Sequence, residues 1–238
     1  MTLLAFALLA IQVRAQAPAA PPKQAPPVFR TLGLGTGFTD LFYMQEKKDV
    51  PIRVTEDARS EFYPLPAASP VEFYRIEKGP DDLLKRIPVA RAVVPAGGKL
   101  PLFVFSAGPS KNTVIETLDD SLEAFPGGSY RVVNRLDQAL EAVVKKQKSA
   151  IPARGTAVVN ARGSGTTVFV QLFMDAAPRP KLIFSNNWAF TEAVRTLVVV
   201  VPPAPPSKTP VVRRIPEPIT AAQPPAPAPA TAAAPATP

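Results

Sequence analysis

The chain has 238 residues, a formal net charge of +8 and 31 prolines, with neither cysteine nor histidine. This composition excludes disulfides, thiolate nucleophiles, Cys/His zinc sites and every catalytic arrangement built on an imidazole. The cations are spread along the chain, with dense runs only at Lys47-Lys48, Lys145-Lys146-Gln147-Lys148 and Arg213-Arg214, so they read as solvated surface rather than as a nucleic-acid face.

The chain opens on a short apolar run, Leu3 to Ile11, followed by Val13-Arg14-Ala15. Small residues at Val13 and Ala15 fit cleavage after Ala15, so residues 1–15 read as a signal peptide, although no Lys or Arg precedes the run. No cysteine follows to carry a lipid, and no stretch is long enough to cross a bilayer as a helix. Residues 16–27 are rich in Ala, Pro and Gln and read as a disordered spacer. The expected location is the periplasm or the cell exterior, including the cell surface.

The folded body is expected over residues 28–201. Gly33, Gly35 and Gly37 lack the spacing of a dinucleotide fingerprint and read as turns feeding a strand. Leu41 to Met44 and Val50 to Val54 follow as strands, with Pro51 marking an edge position. Glu61 to Leu65 and Val71 to Ile76 are further short extended runs. Gly79 to Asp82 reads as a turn, and Leu83 to Arg86 as a single helical turn. Strands resume at Val89 to Val94, Leu100 to Phe105 and Thr113 to Leu118.

Leu118 to Asn134 holds the most distinctive local chemistry. Residues 136–148 then fit either a helix or two strands joined at the lysine run, and the strands match the surrounding rhythm better. Thr156 to Val159, Thr166 to Met174, Lys181 to Ser185 and Val194 to Val201 complete the body. About ten to twelve short strands divided by Gly/Pro turns predict an all-β fold, an immunoglobulin-like or related β-sandwich. It is either one large sandwich or two small β units meeting near 106–111. Residues 202–238 hold 13 of the prolines and read as a disordered Pro/Ala-rich tail, a spacer or tether.

Two groups of residues invite a functional reading. Phe62, Tyr63, Phe73, Tyr74 and Trp188 could stack on sugar rings in a carbohydrate-binding module, although cross-strand packing in a core explains the same residues. Asp119 and Asp120 are adjacent, so on a strand they point to opposite faces and make a poor carboxylate pair for an Asp-dependent hydrolase. With only Glu123 nearby they are also too few for a calcium loop. The structural account is a capped turn. Asp119 or Asp120 accepts free backbone N–H groups, Phe125 drops into the core, and Pro126-Gly127-Gly128 reverses the chain.

The residues Asp119-Asp120-Ser121 and Phe125-Pro126-Gly127-Gly128-Ser129-Tyr130-Arg131-Val132-Val133-Asn134 resemble a group of exported all-β proteins from Verrucomicrobia-type bacteria that has no assigned activity. Ile151-Pro152-Ala153-Arg154-Gly155 is similar to that group's Pro-x-x-Gly turn. The resemblance covers most of Val28 to Val201 and implies an exported β-domain protein without identifying a site.

No catalytic, cofactor or metal residue is therefore assigned and no cofactor is expected. The expected role is non-enzymatic, structural or protein-interacting, with envelope proteins or cell-wall and surface polysaccharide as partners and no nucleic acid. Cleavage after Ala15 predicts a mature product whose first residues are Gln16-Ala17-Pro18, which N-terminal sequencing of the exported protein checks.

Overall fold

In the computed structural model the described residues are 26–219, apart from 80, 81, 109–111, 164, 176–178 and 204. The expected signal peptide, nearly all of the spacer and the last part of the tail lie outside them. The first eight strands are β1 (Val28–Leu34), β2 (Phe38–Gln45), β3 (Lys48–Val54), β4 (Tyr63–Pro64), β5 (Val71–Lys78), β6 (Leu84–Ala92), β7 (Pro101–Ala107) and β8 (Thr113–Asp119). The next eight are β9 (Ser129–Asn134), β10 (Leu140–Val144), β11 (Gln147–Ile151), β12 (Thr156–Asn160), β13 (Thr167–Met174), β14 (Lys181–Ala189), β15 (Val194–Val201) and β16 (Val211–Pro218). The fold is all-β, with a β-sandwich-like architecture.

Four four-stranded sheets form, in the orders β4-β1-β7-β8, β3-β2-β5-β6, β12-β9-β15-β16 and β11-β10-β13-β14. Adding eight to each label of the first two sheets produces the last two. The direction of pairing repeats as well: β1 runs parallel to β7, β9 runs parallel to β15, and the other named pairs are antiparallel. The N-terminal and C-terminal halves of the body are therefore two copies of one strand order.

The sheets stack in four layers, and the alternation of side chains along a strand shows how. On β7, Phe103 and Phe105 enter the core of the N-terminal half, with Phe29, Tyr43, Tyr63 and Phe73. Leu102 and Val104, one residue out of phase, enter a central core. On β15, Val198 and Val200 enter the core of the C-terminal half with Trp188, while Leu197 and Val199 enter the same central core. Successive side chains on a strand leave opposite faces, so β7 and β15 are covered on both. That is why Leu102-Phe103-Val104-Phe105 and Leu197-Val198-Val199-Val200 are unbroken apolar runs rather than alternating ones. Burying each such Leu, Val or Phe contributes roughly 1.5–3 kcal/mol.

The halves differ in what fills them. The N-terminal core is aromatic, with Phe29 edge-on to Tyr43 at 5.2 Å and Phe73 edge-on to Phe105 at 5.2 Å. The C-terminal core is mostly aliphatic around Trp188.

Several sequence expectations find their answer here. Residues 136–148 take the strand reading: β10 and β11 form a hairpin whose tip is Lys145-Lys146, with Lys145 at φ 58°. The helical turn expected at Leu83 to Arg86 is instead the start of edge strand β6. Ser106 and Ala107 end β7, a hydrogen-bonded neighbour of β8 in one sheet, residues 109–111 lie outside the described ones, and the passage from one half to the other comes at residues 120–128.

The tail requires a correction. Disorder was expected from residue 202, but Val211–Pro218 is β16, paired along its whole length with β15. Its prolines are tolerated because β16 is the edge of its sheet, where one side of the strand needs no ladder bonds. Ile215 enters the central core. Pro/Ala counting over a long window hid the short run Val211-Val212-Arg213-Arg214-Ile215. Truncation after Val201 should therefore leave β15 with a bare edge and abolish the cooperative thermal transition. A truncated chain that melts at the full-length temperature would show that β16 is dispensable.

Candidate functional site

The stretch between the halves is built first from local bonds. The Asp119 Oδ1 accepts the Ser121 N–H at 3.0 Å, and the Ser121 carbonyl accepts the Phe125 N–H at 2.8 Å, closing one helical turn. Gly128 then takes φ +67°, a region that side chains disfavour, and donates its N–H to the Val194 carbonyl at 2.9 Å. A Cβ on Gly127 would sit 2.3 Å from the Glu192 carbonyl oxygen and 2.6 Å from Ile219 Cδ1. The reversal at Pro126-Gly127-Gly128 thus lets the backbone pass close to the loop before β15.

Phe125 is fully buried, but its surroundings are not the expected apolar core. Three guanidiniums lie over its ring: Arg131 at 4.6 Å, Arg195 at 5.1 Å and Arg59 at 5.9 Å from the centroid. The ring's negative face attracts each cation, and the effect strengthens when water is excluded.

Asp120 stands at the centre of these arginines, its side chain fully buried. Arg59 grips it with two bonds, Nε to Oδ2 at 2.9 Å and Nη2 to Oδ1 at 3.1 Å. Arg195 adds Nη2 to Oδ2 at 3.0 Å and Nη1 to the Asp120 carbonyl at 2.6 Å. Glu217, on β16, accepts from Arg195 Nε at 2.7 Å and pairs with Arg30 on the other side, while Arg59 Nε is 3.3 Å away. Arg131 places its Nη1 on the Asp119 carbonyl at 2.6 Å and its Nη2 on the Ala124 carbonyl at 3.0 Å. The network joins β1, the β3–β4 connection, the 120–128 passage, β9, β15 and β16.

Strand register reveals a symmetry in this network. Arg30 faces Leu102 across the β1–β7 pair, and Arg131 faces Leu197 across β9–β15. Leu102 in turn faces Leu118, and Leu197 faces Ile215. Two residues beyond Leu118 stands Asp120, and two beyond Ile215 stands Glu217. The two acids thus occupy one position of the repeated strand order, and so do Arg30 and Arg131. A second pair of matched positions, Glu116 and Arg213, also crosses between the halves: Glu116 to Arg135 at 2.8 Å, Arg213 to Asp57 at 2.9 Å. The halves meet through the same face of each, as in an isologous dimer.

Above the network lies an open cleft of about 550 Å³, lined by Arg30, Lys99, Arg195, Asp120 and Glu217 on its polar side. Pro26, Pro27, Phe62, Leu122 and Pro218 contribute apolar walls. Lys99 pairs with the exposed Glu123 at the rim.

The five rings singled out from the sequence are not brought together. Tyr63 and Phe73 lie in the N-terminal core, and Trp188 lies in the C-terminal core against Tyr130 and Phe184. Tyr74 is buried on the outer side of β5, where its hydroxyl donates to Asp49 at 2.5 Å. Burial, with the Asp49 bond and charge, pushes that phenol up to about 12. Phe62 alone is half-exposed, in the cleft wall, with the Arg30 guanidinium 5.0 Å over it.

Among the described residues no group of three or more His, Cys, Asp or Glu is placed to hold a metal, and no helix is long and apolar enough to cross a membrane. No family model matches the chain, and no curated protein matches it.

Sequence reading singled out Asp120 and Phe125 but missed the four arginines and Glu217. They stand at 30, 59, 131, 195 and 217, so no local spacing links them. Only the repeat of strand order puts Arg30 with Arg131 and Asp120 with Glu217.

Burial raises the Glu217 carboxyl, but Arg59, Arg195 and Arg30 together outweigh it and hold it below the ordinary glutamate value. A folded-state value below the unfolded one, about 4.3, gives stability that is complete above that pH and is lost as pH falls through the folded value. Glu217→Gln should lower the melting temperature at neutral pH and make its fall below about pH 4 shallower. Melting curves across that range check this; an acid limb as steep as that of the parent chain would place the acid sensitivity elsewhere.

Proposed function

We propose that this protein works by binding and support rather than by catalysis, as an exported envelope component built from two small sandwich units of one kind in tandem. One observation carries the reading. The acid–base groups that could do chemistry are spent on joining the halves: Asp120 accepts three guanidinium N–H bonds and is fully buried. A carboxylate so occupied has little capacity to take a substrate proton.

A second reading, an Asp-dependent hydrolase, rests on the cleft that sets Asp120 and Glu217 beside Arg30, Arg195 and Lys99. It ranks lower because the arginines that lower Glu217 also make it a weak base near neutral pH. The resemblance to exported β-domain proteins supports the envelope assignment.

The partner-facing surface in this reading is β6, an edge strand of an outer sheet. Leu84 is 73% exposed and Ile87 is 40% exposed on it. Edge strands with exposed apolar side chains are sites at which another chain adds. Leu84→Lys with Ile87→Lys should leave the melting temperature within a few degrees, because Leu84 is largely and Ile87 partly in water. The same pair should remove any envelope protein that the parent chain reproducibly cross-links. A parent chain that stays monomeric and cross-links no partner in envelope extract would refute the proposal.

A further inference from the structure

The buried network is not electrically balanced. Arg30, Arg59, Arg131 and Arg195 bring four positive charges, and Asp120 and Glu217 bring two negative ones. Asp119 is close by and its charge also acts on Arg131, but its carboxylate accepts the Ser121 N–H and it bonds Arg131 only through its carbonyl, so the cations still outnumber the anions. Carbonyl dipoles and the Phe125 ring take up part of the excess on Arg131 and Arg195. They do not satisfy Arg59: its side chain is 3% exposed, and its Nη1 is buried without a hydrogen-bond partner. A buried charged donor without an acceptor is costly, and such groups in folded proteins are normally met by a bound water or ion.

Arg59 does not line the cleft, but Arg30 and Arg195, which share Glu217 and Asp120 with it, do, and an anion there would offset the excess charge. Arg30 commits its Nε to the Ser60 carbonyl and its Nη1 to Glu217, which leaves Nη2 uncommitted among the described residues. Lys99 reaches the same cleft from the rim, and its pair with Glu123 is solvent-exposed on both sides, a contact worth little that the ammonium can exchange. Arg195 supplies charge rather than free donors, since each of its nitrogens already bonds to Asp120, Phe125 or Glu217. The remaining walls, Pro26, Pro27, Phe62 and Leu122, are apolar and leave room beyond a small ion.

We infer that this cleft is an anion site, taking a phosphate group on Arg30 and Lys99 with the apolar walls holding whatever carries it. The site goes beyond the binding role proposed above and stands independently of the β6 surface. A second basic concavity among the described residues, about 430 Å³, lies between Lys145, Lys146, Gln147, Asn160 and Arg162. All five of those residues are exposed, so it serves as the control.

Thermal melts and titration calorimetry with inorganic phosphate test the inference, with sodium chloride at matched ionic strength as reference. Phosphate at about ten times its Kd should raise the melting temperature by about 3–5 °C beyond the chloride reference. Lys99→Gln, at an exposed position, should weaken phosphate binding about tenfold, and the pair Lys145→Gln with Lys146→Gln should leave it unchanged. Phenyl phosphate binding more tightly than inorganic phosphate assigns the site to a phosphate carried on an apolar group. Equal affinity assigns it to the free ion and overturns the role given to the apolar walls. No stabilisation beyond chloride overturns the site, and so does a phosphate effect that Lys99→Gln leaves intact, whether or not the hairpin pair abolishes it.

Discussion

Two carboxylates, Asp120 and Glu217, are drawn out of water between the halves of this protein, and four guanidiniums come with them. Taking such charges from solvent costs several kcal/mol per ion, and only good geometry and further hydrogen bonds offset it. The two-pronged Arg59–Asp120 contact and the shared Arg195 provide both. Net stabilisation is not the main consequence of such a network. Its members tolerate only one arrangement, because displacing any of them strands a buried charge at a cost of about 3–5 kcal/mol. The central apolar core of Leu32, Leu102, Val104, Val133, Leu197 and Val199 supplies non-directional attraction between the halves. The ions supply the register.

The matched positions give that register a simple origin. When the same face of two equivalent units meets, each contact is made twice, with roles exchanged. Here Arg30 of the first half reaches Glu217 of the second, and Arg131 of the second half reaches the Asp119 carbonyl of the first. The exchange is imperfect where the two halves differ. Arg195 occupies the position that Leu100 holds in the first half, so one side of the seam carries an extra cation. That substitution accounts for much of the positive excess beneath the cleft.

How far the sequence could be read follows from the range of each interaction. The β class and the reversal at Gly127-Gly128 depend on residues a few positions apart and were legible, while residues 136–148 left helix and hairpin both open. The reading of Tyr63, Phe73 and Trp188 as packed rings was legible too, since cross-strand aromatic pairing is the ordinary fate of such residues. The strand Val211–Pro218 was not, because its five-residue core signal is embedded among prolines that an edge strand tolerates and a composition window penalises. The ion network was out of reach for another reason. Arg30 and Glu217 are 187 residues apart, and a lone Arg on a strand looks like solvated surface until the sheets are stacked.

The cleft has one more property, set by which backbone segments border it. Pro26 and Pro27 lead into β1, Pro218 ends β16 with Ile219 after it, and all four line the same opening. The described chain therefore enters and leaves the body side by side. Tension applied through the two ends would not shear the long ladders of β7 and β15 but would peel apart the β1 and β16 termini. The first link under load would be the Arg30–Glu217 ion pair, and parting it leaves a charge that the network no longer balances. A body held by both ends would in this way lose its ionic register before the ladders of β7 and β15 are sheared.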